Sequence, residues 1–140
     1  KMIPTEQTIL HDPDLGLVGN CFQAILAALL HLPIDNVPHF CKLYPARWRK
    51  KLNEWLRPFG LAYLEIGGDV AQTFADFGIT ECFHEIAGDS PRFPSVLHSC
   101  VGKDGAWIFD PHPDKQGIER AEAIGIFIVL EPWKFVGERQ

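Results

Sequence analysis

Apolar positions recur along this chain at helical spacing in its first half and at strand spacing in its second. The run Cys21–His31 sets Phe22, Ile25, Leu26, Leu29 and Leu30 on one broad stripe, while Ala24, Ala27 and Ala28 let neighbours approach closely. The pattern predicts a mostly buried helix, opened by Asn20 as N-cap and stopped by Pro33. Trp48, Leu52, Trp55 and Leu56 recur at three and four residues and predict a second helix over Pro45–Leu56, ended by Pro58 and Gly60. A third, Asp69–Phe77, is capped by Asp69 and closed by Gly78. Leu61–Ile66, Cys82–Ile86, Ser95–Val101, Ala106–Phe109 and Ile124–Leu130 are rich in β-formers, bounded by Gly, Pro and Asp, and predict strands.

Helices first and strands afterwards is an α+β order, with a helix packed on an antiparallel sheet, and not an alternating doubly wound one. The chain divides into an N-terminal arm (1–19) punctuated by Pro4, Pro13, Gly16 and Gly19, a mainly helical part (20–78) and a mainly β part (79–140). No repeat or linker interrupts it, so a single domain is expected.

Composition narrows the function classes. At 140 residues, 46% apolar and 22% charged, the chain has material for one core. Thirteen basic against eighteen acidic side chains leave a net charge of −5, which argues against a nucleic-acid partner. The one basic cluster, Arg47, Arg49, Lys50 and Lys51, alternates with Trp48 and Leu52 as a solvated helix face does. No apolar run approaches the roughly 20 residues a membrane span needs, so no membrane partner is expected either. The four cysteines, Cys21, Cys41, Cys82 and Cys100, follow no signal-like segment, and free thiols in a reducing compartment are the expectation.

Position separates the thiols. Cys21 is the first residue of the buried helix, where unpaired N–H groups and the positive end of the helix dipole stabilise a thiolate. The competing reading is a small buried apolar side chain. A thiolate nucleophile needs an acid–base partner, and His98 lies on a predicted strand one hairpin away from Asp110. If Lys103–Gly105 close that hairpin as a three-residue loop, Gly102 faces Ala106 and His98 faces Asp110, so the carboxylate can orient the imidazole. A two-residue closure offsets the pair and turns the side chains to opposite faces. A core histidine and a turn-initiating Asp before Pro111 are the plainer alternatives. Acyl chemistry also needs oxyanion donors; the Cys21 N–H is one, and Gln7 is the only side-chain amide in the arm before Asn20. Cys82 with His84 and His98 with Cys100 alternate as zinc ligands on strands could, but short-loop Cys-x-x-Cys spacing is absent, and no metal or other cofactor is expected.

The segments Gln7-Thr8, Gly19-Asn20-Cys21-Phe22-Gln23-Ala24, Leu32–Phe40, Ser90-Pro91-Arg92, His98, Val101–Gly105 and Asp110-Pro111-His112-Pro113 together resemble small papain-like cysteine hydrolases. They are similar to peptidase C39-like and NlpC/P60-like domains, and most of all to short stand-alone proteins of bacteria and their viruses. The resemblance implies a papain-like fold with Cys21 as nucleophile, His98 as general base and acid, Asp110 as orienting residue and Gln7 in the oxyanion hole. His112 and Asn20, beside these positions, are the candidates for substrate contact.

The expected function is therefore a cysteine peptidase, isopeptidase or amidase working through an acyl-enzyme on a peptide, protein or small amide. The alternatives are a transglutaminase-like acyltransferase and a catalytically silent binding module. The expected location is the cytoplasm, of a bacterium or of a virus-infected host cell.

Overall fold

Helix α1 (Cys21–Leu30) forms where the periodicity places it, and it is the centre of the molecule. Ala24, Ile25, Leu26, Ala27 and Ala28 are almost wholly buried, and the three alanines allow the sheet to lie close against the helix. Burying a side chain such as Leu26 contributes about 1.5–3 kcal/mol. The computed structural model describes residues 1–137. After α1 come α2 (Phe40–Leu43), α3 (Trp48–Leu56), β1 (Leu61–Gly67), α4 (Val70–Phe77), β2 (Phe83–Asp89), β3 (Leu97–Lys103), β4 (Ala106–Phe109), β5 (Ala121–Val129) and α5 (Trp133–Val136).

The strands form one sheet in the order β1-β5-β2-β3-β4, and each neighbouring pair is antiparallel. The α+β expectation is met, but β1, which falls in the mainly helical part of the chain, pairs with β5 from the far end. The last residues of the mainly β part, 138–140, lie outside the described residues. One sheet face packs on α1 and α3 through Phe22, Ile25, Leu26, Leu52, Leu56, Tyr63 and Val101. The other packs on α4 through Val70, Phe74, Ile86, Cys100 and Ile124. Among the described residues, no single helix is long and apolar enough to cross a membrane.

Several boundaries differ from expectation for local reasons. Helix α3 begins at Trp48, not Pro45, because the Arg47 N–H turns back onto the Tyr44 carbonyl at 3.0 Å. Strand β3 begins at Leu97, not Ser95, because Ser95 sits at φ 60°. Similarly, β2 waits until Phe83 after Glu81 at φ 60°.

The β3–β4 hairpin corrects the three-residue closure. Asp104 and Gly105 form the two-residue turn, both with positive φ (52° and 92°), and Lys103 pairs with Ala106 and Gly102 with Trp107. That register alone would turn Asp110 away from His98. A β-bulge reverses the outcome: between Val101 and Gly102 the register shifts, so Val101 pairs with Phe109 and Ile108 is the extra residue. One residue further along, the shifted register sets Asp110 across from Cys100 and diagonal to His98, on one face.

Candidate active site

Cys21 stands half-buried at the start of α1, on the wall of a cleft of about 350 Å³ that is also lined by Gln7, His98, His112 and Glu85. A larger hollow of about 680 Å³ beside α5, bounded by Arg57, Phe59, Leu130 and Lys134, contains none of the cysteines or histidines. The chemistry therefore belongs to the smaller one.

His98 and Asp110 are in direct contact. The imidazole Nε2 lies 2.6 Å from Asp110 Oδ1, and both side chains are buried. The carboxylate is held in turn by two backbone donors, His112 N–H to Oδ1 at 2.9 Å and Gly117 N–H to Oδ2 at 2.7 Å. Burial opposes ionisation of Asp110, but the His98 bond and these two N–H groups hold its carboxyl below the usual range. Burial likewise disfavours a charged His98. The Asp110 hydrogen bond, followed by the Cys100 and Cys21 sulfurs, outweighs it and lifts the imidazole to about 11. With Nε2 committed to Asp110, Nδ1 is the ring nitrogen left to exchange a proton with a thiol.

Gly117 makes the carboxylate clamp feasible. It sits at φ 73° directly against the Trp107 indole, where an added Cβ would lie 2.4 Å from the ring. His98, Cys100 and Asp110 also present potential metal-ligand atoms within 4.8 Å of one another. Two ligands about 2.1 Å from one tetrahedral ion stand roughly 3.4 Å apart. The 2.6 Å His98–Asp110 separation is a hydrogen bond.

Gln7 reaches the cleft because its arm is pinned from two sides. Its own N–H donates to the Pro111 carbonyl at 3.0 Å, beside Asp110, and the next two residues are bound by Asn20. One Nε2 hydrogen goes to the Ile9 carbonyl at 2.9 Å, leaving the second for another acceptor; Oε1 is buried without a partner among the described residues.

Asn20 is a correction on two counts. Its side chain makes no cap bond to α1, and it is 1% exposed, which removes it from substrate contact. Instead Oδ1 accepts from the Thr8 and Ile9 N–H groups (3.0 and 2.7 Å), and Nδ2 donates to Thr8 Oγ1 and Gln23 Oε1. It is the tie between the arm that carries Gln7 and the helix that carries Cys21. His112 does line the cleft, edge-on to His98 with ring centroids 6.3 Å apart. Its Nδ1 accepts the Asp114 N–H at 3.1 Å; burial, with Arg92 nearby, lowers its pKa.

All four cysteines are free. Cys100 is fully buried beneath His98, and Cys41, also on the cleft wall, is pushed up to about 12, first by burial and then by the neighbouring Cys21 and Glu85. The sequence pattern did not mark Arg49, Tyr63, Glu65, Glu85 and Ser99 as lining of the same cleft, which Trp48 also lines. One signal was available: Glu85 is a charge between Phe83 and Ile86 in the middle of a strand. Arg92 was in view only through the resemblance. Its guanidinium holds both Asp114 oxygens (2.9 and 3.0 Å) and ties the β2–β3 loop to the segment after Asp110.

No family model, no curated protein and no solved structure matches the chain.

Proposed function

We propose that this protein is a papain-like cysteine hydrolase that cleaves an amide or thioester bond in a peptide, protein or small amide. The observation that carries the reading is a buried, hydrogen-bonded His98–Asp110 pair opening onto the same cleft as a cysteine at a helix N-terminus. Cys21 attacks the carbonyl as its proton resides on His98, and the C–S bond forms while the carbonyl π pair moves onto oxygen. The Cys21 N–H and the free Gln7 amide hydrogen are the donors for that oxygen. His98 then protonates the leaving amine or thiol, giving an acyl-enzyme. In the second half the ring takes a proton from water, which attacks the acyl carbon and releases Cys21. Asp110 holds the ring in one tautomer and stabilises its charged form throughout.

Iodoacetamide near neutral pH tests the reading. Cys21 is expected to react at least tenfold faster than Cys41, Cys82 and Cys100, and His98→Ala to remove most of that advantage. Uniform slow labelling of all four thiols overturns it and leaves a silent binding cleft.

A further inference from the structure

The proposed reaction makes no use of one charged side chain in the cleft. Glu85, in the middle of β2, is 3% exposed, yet it lines the cleft that Cys21 opens onto. Its Oε1 accepts from Tyr63 Oη at 3.0 Å and its Oε2 from Ser99 Oγ at 2.9 Å. Each carboxylate oxygen can accept a second hydrogen bond, so both are half satisfied. Neither donor is a cation. The nearest guanidinium, Arg49, is drawn away to Glu65 at the cleft rim and lies over the Trp48 ring at 4.3 Å.

A buried carboxylate without a counter-cation is destabilising, and a purely structural role would be filled better by an apolar residue of similar volume. The walls around it are suited to an alkyl chain. Phe22 and Trp48 meet edge to face at 4.9 Å, Tyr63 lies beside them, and Ala87 leaves room at the sheet. The charged groups facing this end are Glu85, Glu65 and Arg49, and the thiol of Cys41 and hydroxyl of Tyr63 complete the titratable set. Arg49 and Glu65 cancel, which leaves an uncompensated negative charge when Glu85 ionises.

We infer that the Glu85 end of the cleft is a subsite for a cationic, alkyl-stemmed side chain of the substrate, lysine- or arginine-like, with the stem against Trp48 and Phe22 and the cation on the Glu85 carboxylate. The inference rests on Cys21 being the nucleophile. Burial is the main cause that lifts the Glu85 carboxyl to about 7, opposed by the Ser99 and Tyr63 hydrogen bonds, so an arriving cation meets a group that can ionise at neutral pH.

The test uses dipeptidyl chloromethyl ketones carrying lysine, norleucine or glutamate at either residue. At pH 8 the lysine probe is expected to inactivate Cys21 at least tenfold faster than norleucine at one position, with glutamate slowest. In Glu85→Gln, which keeps both hydroxyl partners, the ratio of the lysine rate to the norleucine rate should fall below twofold. Equal rates for lysine and norleucine at both positions, or a preference that survives Glu85→Gln, overturn the subsite. If Cys21 is not selectively alkylated by iodoacetamide, the hydrolase reading fails instead. The subsite is then judged by Cys21→Ala titrated with N-acetyl-lysyl-glycinamide, following the ¹³C carboxyl signal of Glu85. Ionisation is expected to move at least one pH unit lower with the lysyl ligand and not with its norleucyl analogue; no movement overturns the proposal.

Discussion

Replacing Asp110 by Asn keeps the shape of the site and removes the charge opposite His98, so it isolates what the carboxylate does. Although burial pushes the other way, His98 is lifted from 6.5 to about 11, which at 1.36 kcal/mol per pH unit is about 6 kcal/mol in favour of the imidazolium. Asp110 is the first of three groups sharing that stabilisation, and removing one side of a buried pair usually costs about 3 kcal/mol. His98 in Asp110→Asn should therefore titrate about two pH units lower. Stability should follow with a definite sign. A histidine whose folded pKa lies above its unfolded value stabilises fully below about 6.5 and loses the contribution as pH rises through about 11. Asp110, whose pKa is lowered, contributes above its unfolded value of about 3.9 and loses that contribution as pH falls. The penalty of Asp110→Asn is thus largest near pH 6, at about 3 kcal/mol, and shrinks toward pH 10. Histidine-labelled NMR titration, with His98→Gln to assign the signal, and urea unfolding at pH 6 and pH 10 measure both quantities. A wild-type His98 that titrates at its ordinary value, or a penalty independent of pH, refutes the reasoning.

Three other outcomes follow from the same geometry. Gly117→Ala places a Cβ against Trp107 at a residue with φ 73° and disturbs the N–H that holds Asp110, so unfolding in urea should show a loss of about 2–4 kcal/mol with slower Cys21 alkylation. Asn20→Ala leaves the Thr8 and Ile9 N–H groups without their acceptor; limited proteolysis should cut the 1–19 arm much faster, with about 2–4 kcal/mol lost overall. His84 is fully buried, stacked on Phe74, and accepts the Gly105 N–H at Nε2 while Nδ1–H donates to the Glu85 carbonyl. Burial lowers its pKa, so its contribution is present above about 6.5 and lost as pH falls through its folded value. Glu85, raised, acts in the opposite direction, so the comparison is wild type minus His84→Gln between pH 7 and 5; a difference that does not change with pH would contradict the neutral assignment.

What the sequence by itself determined is what depends on near neighbours in the chain. Helix α1 follows from the spacing of its own apolar residues and from Pro33, and Cys21 is its first residue because of that boundary. The Asp69 cap and Gly78 close of α4 are equally local, and both are present as expected. Gln7, Cys21, His98 and Asp110 could all be named from residue type and position. What only the tertiary structure decided involves registers and long-range pairings. A single extra residue, Ile108, determines whether Asp110 shares a face with His98, and a bulge of one residue leaves no distinct trace in a hydrophobic pattern. Asn20 has the composition of a cap, but the arm folding back at Thr8 and Ile9 offers its carbonyl better-placed donors, a competition invisible without the arm's path. The acidic end of the cleft exists because β5 pairs with both β1 and β2, which brings Tyr63 and Glu85 together across Gly125. That glycine lies beneath the Tyr63 ring, where a Cβ would stand 2.2 Å from it. Periodicity reports which residues are inside; only chain pairing reports which of them meet.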